Sequence, residues 1–164
     1  MSEPDCQLDD FHFRRLSVEW HDPEAPGQVD VNHSFDYSVG QHNAEKNRYR
    51  LALRFKAVSD TPKPIGYVVQ AEIVGLFRFP EGMEQAKMDF LIRLNGCTIL
   101  YGILRGQIAS LTGVFPQRKL VLPTFMMKDV IEGIEKAKAE KRDVKKGLLA
   151  PKKARSPKPK SPKA

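Results

Sequence analysis

Four histidines and two cysteines are the residues from which this 164-residue chain could build a metal site or a nucleophile. A metal site needs ligands at a spacing that lets two side chains reach one ion, as in HExxH or CxxC. His12, His21, His33 and His42 show no such spacing, and Cys6 and Cys97 stand far apart. His33 falls on the apolar parity of a strand, where a packed, hydrogen-bonded histidine is expected. Cys97 follows Gly96 with no pattern that marks a partner base, so a structural thiol is expected. There is no glycine-rich phosphate loop. These residues point to a protein that is not an enzyme and takes no cofactor.

The distinctive chemistry is apolar. Ile99 to Phe125 reads ILYGILRGQIASLTGVFPQRKLVLPTF. This is an amphipathic helix, a break at Gly113, and an extended loop carrying Phe115-Pro116, Leu120-Val121-Leu122 and Pro123. Loops run over the surface and carry function. An exposed apolar stretch marks a binding site. The chemistry it offers is capture of an apolar partner.

The elements that position this loop are legible from periodicity. Val29, Val31, His33, Phe35, Tyr37 and Val39 alternate with polar residues, the pattern of a half-buried strand. Gly40 to Asn43 is a turn. Tyr49, Leu51, Leu53, Phe55 and Ala57 repeat the alternation, with Arg48, Arg50, Arg54 and Lys56 on the other face. A Pro-rich turn over Ser59–Gly66 leads into a strand over Tyr67–Phe79. There Val68, Val74 and Leu76 make the second face apolar too, which predicts cover on both sides. In the first strand Phe11 and Phe13 share one parity, and Leu16, Val18 and Trp20 the other. Either a β-bulge at Arg14-Arg15 restores one apolar face, or both faces are partly buried. Beyond Glu81-Gly82 the period becomes helical, through Met83, Ala86, Phe90, Leu91 and Leu94. Gly96 interrupts it. Ile99, Ile103, Ile108 and Leu111 form a second stretch, and Pro123-Thr124 opens a last helix with Met127, Val130, Ile131 and Ile134 on one stripe. The pattern predicts an α+β domain: a four-stranded antiparallel meander sheet, then a long helix, an apolar crossover loop and a second helix. Open sheet edges and spare apolar surface predict oligomerisation.

The net charge of +7 is not evenly spread. Residues 141–164 hold ten of the 27 Lys and Arg and one of the 20 acids, a net +9. That leaves 17 bases against 19 acids, a net −2, over residues 1–140. A near-neutral domain over 1–140 and a basic tail over 141–164 is the expected division. From Pro151 the sequence PKKARSPKPKSPKA cannot bury a core and is expected to be disordered. There is no internal repeat apart from SPK at Ser156 and Ser161. The acidic start, MSEPDCQLDD, lacks the apolar core of a signal peptide, and no run approaches a membrane span. A cytoplasmic protein with reduced thiols is expected.

From about Phe11 to Val130 the chain resembles the SecB family of export chaperones. The likeness lies in an ordered set: VEWHDPEAPG, YRLALRF, AEIVGLFRFPEGMEQAKM, then ILYGILR followed by Phe115-Pro116, Leu120, Pro123 and Phe125. The resemblance implies a four-stranded antiparallel sheet, a long helix, a crossover loop and a dimer of dimers with helices between the sheets. It also implies a tetrameric, ATP-independent holdase that binds unfolded precursor polypeptides in apolar grooves and passes them to the SecA motor for translocation. On this reading the client-binding residues are Phe35, Tyr37, Phe115, Leu120, Leu122, Phe125, Met127 and Ile131, although each could instead be core or subunit interface. Met126 and Met127 suit a promiscuous surface because thioethers repack readily.

The chain departs from the family in several places. Gly102 stands where the family has a proline, and Cys97-Thr98 lacks the neighbouring proline. SLTGVFP is shorter than the family's glycine-rich segment. The acidic positions that dock SecA align with Arg15, Glu19 and Gln70, beside the apolar Val68; only Glu19 keeps its charge. Two other functions therefore stay open. One is a SecB-like chaperone dedicated to a single client such as an antitoxin. The other is a module that contacts anionic lipid or RNA through the basic tail.

Overall fold

The computed structural model describes residues 5–22, 30–117 and 119–149, the last eight of these by backbone only. Four strands come first: β1 (Gln7–His21), β2 (Val31–Gln41), β3 (Arg48–Ser59) and β4 (Gly66–Arg78). Then follow α1 (Gln85–Leu91), a π-helical turn (Ile92–Gly96), α2 (Cys97–Thr112) and α3 (Met127–Leu149). The α+β class and the antiparallel sheet are as the alternation predicts. The expected tail beyond Pro151, and Val29 at the head of β2, lie outside the described residues. The backbone of α3 runs nine residues past the predicted boundary at 140.

The strand order is β1-β4-β3-β2. Only β2, β3 and β4 form the predicted meander; β1 pairs with β4, which gives a Greek-key order. β4 is the most apolar strand and gains a neighbour along each edge. β1 carries the irregularities and takes an outer position, where bulges are tolerated. Its register shifts between Phe13 and Arg15, so Arg14 is the extra residue. A second shift lies between Leu8 and Asp10, which periodicity does not reveal. Together they place Leu8, Phe11, Phe13, Leu16, Val18 and Trp20 opposite Phe77, Gly75, Ile73, Ala71, Val69 and Tyr67, all on one face. The two-faced alternative for β1 falls.

That inner face carries the core. Leu51, Leu53, Phe55, Val69, Ile73 and Phe77 pack with Ile92, Leu100, Leu104 and Ile108. On the outer face Val68 and Val74 are buried as the composition predicts, but Leu76 is 42% exposed. Val74 is covered by the sheet itself, between His12 on β1 and Ala52 on β3.

Gly96 does not break the helix. It has helical angles, φ −58° and ψ −48°, at the end of the π-helical turn. The buried positions step by four from Met88 to Ile92, by five to Cys97, and then continue through Leu100, Leu104 and Ile108. A π turn inserts one residue into a helix, so the step of five keeps the buried stripe on one side. A side chain at Gly96 would sit 2.8 Å from Leu51 Cδ2. The glycine lets the helical layer approach β3. The last helix starts at Met127 and not at Pro123-Thr124, because the segment before it is tied down in extended form.

Candidate functional site

The crossover loop, residues 113–126, is laid back along α2 and fastened by its side chains. Tyr101, Arg105 and Thr112 project from α2 toward it. The Tyr101 hydroxyl donates to the Pro123 carbonyl at 2.7 Å. The Arg105 guanidinium donates to the Leu122 carbonyl at 3.0 Å. The Thr112 hydroxyl donates to the Ile108 carbonyl at 2.8 Å and accepts the Leu120 N–H at 2.9 Å. Loop backbone that lacks a strand partner is thereby satisfied from the helix. Burial pushes the Tyr101 phenol up to about 12, so it stays a donor. Held this way, the loop buries Leu122, half-buries Leu120 and Phe125, and leaves Val121 and Met126 exposed.

Beneath the loop lies an aromatic cluster. The ring of Phe35 is 5.0 Å from Phe55, 5.4 Å from Tyr101 and 5.1 Å from Phe125. His33 stacks on Phe55 at 6.0 Å and meets Phe125 edge-on at 5.4 Å. Burial lowers the His33 pKa, which favours the neutral imidazole in this setting. Two hollows open on either side of the cluster and share His33. One, of about 630 Å³, lies between β2 and α3; Phe35, Phe125, Val130 and Ile134 line it, with Asp36, Asp129, Lys138 and Lys141 at its rim. The other, of about 350 Å³, is lined by Trp20, Val31, Ala57, Ile65, Tyr67, Leu120, Leu122 and Pro123. In the second hollow the Tyr67 hydroxyl is buried and makes no hydrogen bond among the described residues.

The far wall, α3, buries Met127 and Ile131 and is held further along by charge. The Tyr37 hydroxyl donates to Glu135 at 2.8 Å, and Arg93 pairs with the same carboxylate at 3.1 Å. Lys138 donates to the Tyr37 carbonyl at 2.9 Å, pairs with Asp36 at 2.7 Å, and sits 4.7 Å over the Tyr37 ring. Burial alone would raise the Asp36 pKa. The Lys138 hydrogen bond and charge, with the Tyr37 N–H and Arg54, outweigh it and hold the carboxyl below its ordinary value. Burial and the Glu135 carboxylate push the Tyr37 phenol up to about 12.

The residues picked from sequence divide into groups. Phe35 and Phe125 line the first hollow, and Leu120 and Leu122 the second. Phe115 stands at the rim of the second, 39% exposed and edge-on to Tyr67 at 6.3 Å. Tyr37, Met127 and Ile131 belong to the core under α3. Trp20, His33 and Tyr67 line the hollows as well, and the sequence reading misses them. His33 shares the parity of Phe35. Trp20 and Tyr67 are cross-strand partners with rings 4.9 Å apart, a pairing that the Greek-key order creates. On the outer face Arg15, Glu19, Val68 and Gln70 do come together: Glu19 faces Val68, Ser17 faces Gln70, and Arg15 faces Glu72. Glu72 is paired with Arg14 and Arg54 at 3.3 and 3.6 Å. Val68 is 7% exposed and offers little apolar area.

Burial raises the pKa of Cys97 to about 12 and that of Cys6 to about 11, which disfavours a nucleophilic thiolate at either. Among the described residues no group of three His, Cys, Asp or Glu side chains could hold a metal ion. No described helix is long and apolar enough to cross a membrane.

No protein-family model matches the chain, and no curated protein matches it either. Solved structures do. A SecB-like chaperone from Mycobacterium tuberculosis, determined in complex with a ChAD peptide from the HigA1 antitoxin, superposes with a TM-score of 0.57. It is 17% identical, and the match covers 74% of this chain and 91% of that one. A protein of unknown function from Streptococcus agalactiae matches at a TM-score of 0.43 with 10% identity, over 75% of this chain and all of that one. The chain has a SecB-like fold.

Proposed function

We propose that the chain is an ATP-independent holdase that binds unfolded polypeptide and performs no chemistry. The observation that carries this reading is the pair of apolar hollows on either side of His33, with the fastened loop as their common wall. Burial contributes about 25 cal/mol per Å² of apolar area, so a few client side chains seated in both hollows give useful affinity. Ordering the client costs several kcal/mol and keeps binding reversible. The SecB-like neighbour was solved with an antitoxin peptide bound, which supports a polypeptide as the ligand. The reading includes assembly as a dimer of dimers in the cytoplasm.

The test is suppression of aggregation of a chemically unfolded protein, followed by light scattering, for the wild type and for Leu120→Asp/Phe125→Asp. The wild type suppresses scattering and the double variant loses most of that effect while keeping its circular dichroism. Undiminished suppression by the folded double variant would remove the hollows from the mechanism.

Service to a dedicated client, such as an antitoxin, is favoured over general export by one observation: Arg15 stands where the export family carries a docking acid. Capture of SecA by the wild type would reverse that preference. The basic residues 141–164 are proposed to hold the chaperone near anionic lipid or RNA. Unchanged fractionation after their removal would exclude it.

A further inference from the structure

We infer that the outer face of the sheet carries a docking cavity for an acidic segment of a partner protein, distinct from the client hollows and on the opposite side of β3 and β4. The cavity has a volume of about 460 Å³ and is lined by Asp9, Gly40, His42, Arg48, Arg50 and Leu76, among others. Its register is unusual. Arg48 lies directly across from Arg78, and Arg50 lies across from Leu76 on one side and Gly40 on the other. Like charges placed directly opposite one another destabilise a sheet. Two carboxylates offset part of this cluster: Glu45 pairs with Arg48 at 2.6 Å and Asp9 with Arg78 at 3.1 Å. Asp10, across from Leu76, accepts the Phe11 N–H at 2.8 Å. Arg50 has no ion pair among the described residues and is exposed.

The space around Arg50 is kept open. A side chain at Gly40 would meet nothing within 4 Å, so the cross-strand position leaves a gap beside the guanidinium. Leu76, 42% exposed, forms an apolar floor next to it. A guanidinium presents a planar fork that matches a carboxylate in two parallel hydrogen bonds. The complementary ligand is a carboxylate flanked by an apolar side chain: the carboxylate reaches Arg50 and the apolar group covers Leu76. Exposed strand positions with arginine above an exposed leucine thus select an acidic, partly apolar peptide segment over a bare polyanion.

The experiment is fluorescence polarisation on the full chain with a labelled peptide of alternating Glu and Leu, at fixed salt. The basic tail is common to every variant and drops out of the comparison. Arg50→Glu should weaken binding about tenfold or more, the loss of one charge-assisted pair. Leu76→Ala should weaken it less. Lys56→Glu, on the same face but outside the cavity, should leave it near the wild-type value. Leu120→Asp/Phe125→Asp should remove only binding that passes through the client hollows and leave the further loss from Arg50→Glu in place, which separates this cavity from them. Equal losses in Arg50→Glu and Lys56→Glu would mean a diffuse field and no site. Loss of duplex RNA binding in Arg50→Glu without loss of peptide would assign the cavity to phosphate and overturn the proposal. So would absence of peptide binding by the wild type, or displacement of the peptide by inorganic phosphate alone.

Discussion

The crossover loop and α3 wall the same hollow, yet they are fastened by different chemistry. The loop is held by side-chain hydrogen bonds from Tyr101, Arg105 and Thr112 to its backbone, with Leu122 at 1% exposure beneath. The wall on the other side buries Met127 and Ile131 at its start, but further along it is held by Arg93–Glu135 and Lys138–Asp36, ion pairs whose side chains are each more than 40% exposed. Part-buried hydrogen bonds to backbone and apolar packing respond little to salt, whereas exposed ion pairs are screened by it and contribute little each. If the hollows hold a client, as proposed, the difference makes the loop the fixed wall and the middle of α3 the adjustable one. A groove that accepts unlike sequences needs one of each: a rigid side to give the client a surface, and a side that moves to fit its bulk.

The largest effect expected from breaking this arrangement is at Leu122. Leu122→Ala removes a fully buried side chain from under the loop and should cost about 2–5 kcal/mol of stability, read as a drop in the urea midpoint. A cost near zero would mean that the loop is held by its hydrogen bonds alone. Thr112→Val comes next. Valine keeps the shape but removes the hydroxyl that takes the Leu120 N–H, leaving that donor without its partner. The expected cost is about 1–2 kcal/mol, and it should be the same at low and high salt. A salt-dependent cost would place the loop's fastening in the same class as that of α3.

How far each region could be read from the chain follows the same division. The strands were legible because alternation depends on residues two apart, and the Arg14-Arg15 kink because it changes parity within one strand. The Asp9 shift was hidden, since Leu8 alone marks the earlier parity. The π-helical turn was hidden because the step from Ile92 to Cys97 belongs to neither helical spacing and Gly96 resembles a break. Strand order departs from the predicted meander: whether β1 joins β2 or β4 depends on pairings about 45 to 71 residues apart, and periodicity is silent at that range. The loop's apolar residues were recognised, while the three α2 side chains that position them were not. Tyr101, Arg105 and Thr112 act through hydrogen bonds to backbone, and such bonds leave no pattern in residue types. Tyr37, Met127 and Ile131 show the converse: apolar residues at the right spacing for a groove face inward, because α3 must first bury its own stripe.

The smallest expected effect is at the adjustable wall, and it tests the comparison most directly. Lys138→Met removes the Asp36 pair and the bond to the Tyr37 carbonyl but keeps the stem over the Tyr37 ring. Global stability should change by less than about 1 kcal/mol. Hydrogen exchange in the turns of α3 around Lys138 should speed up all the same, while exchange at Leu120 stays as in the wild type. High salt should reproduce this pattern in the wild type and add little to the variant. Acid should do likewise, with a defined sign. The folded Asp36 pKa is depressed, so the pair contributes above the ordinary value of 3.8 and its contribution is lost as pH falls through the lower folded value. His33, whose pKa is lowered from 6.5, begins to weigh against folding at a higher pH. A His33→Phe background removes that contribution and isolates the Asp36 window. If α3 and the loop loosen together as salt rises or pH falls, the two walls are one cooperative unit, and the groove adapts by opening as a whole and not by moving one side.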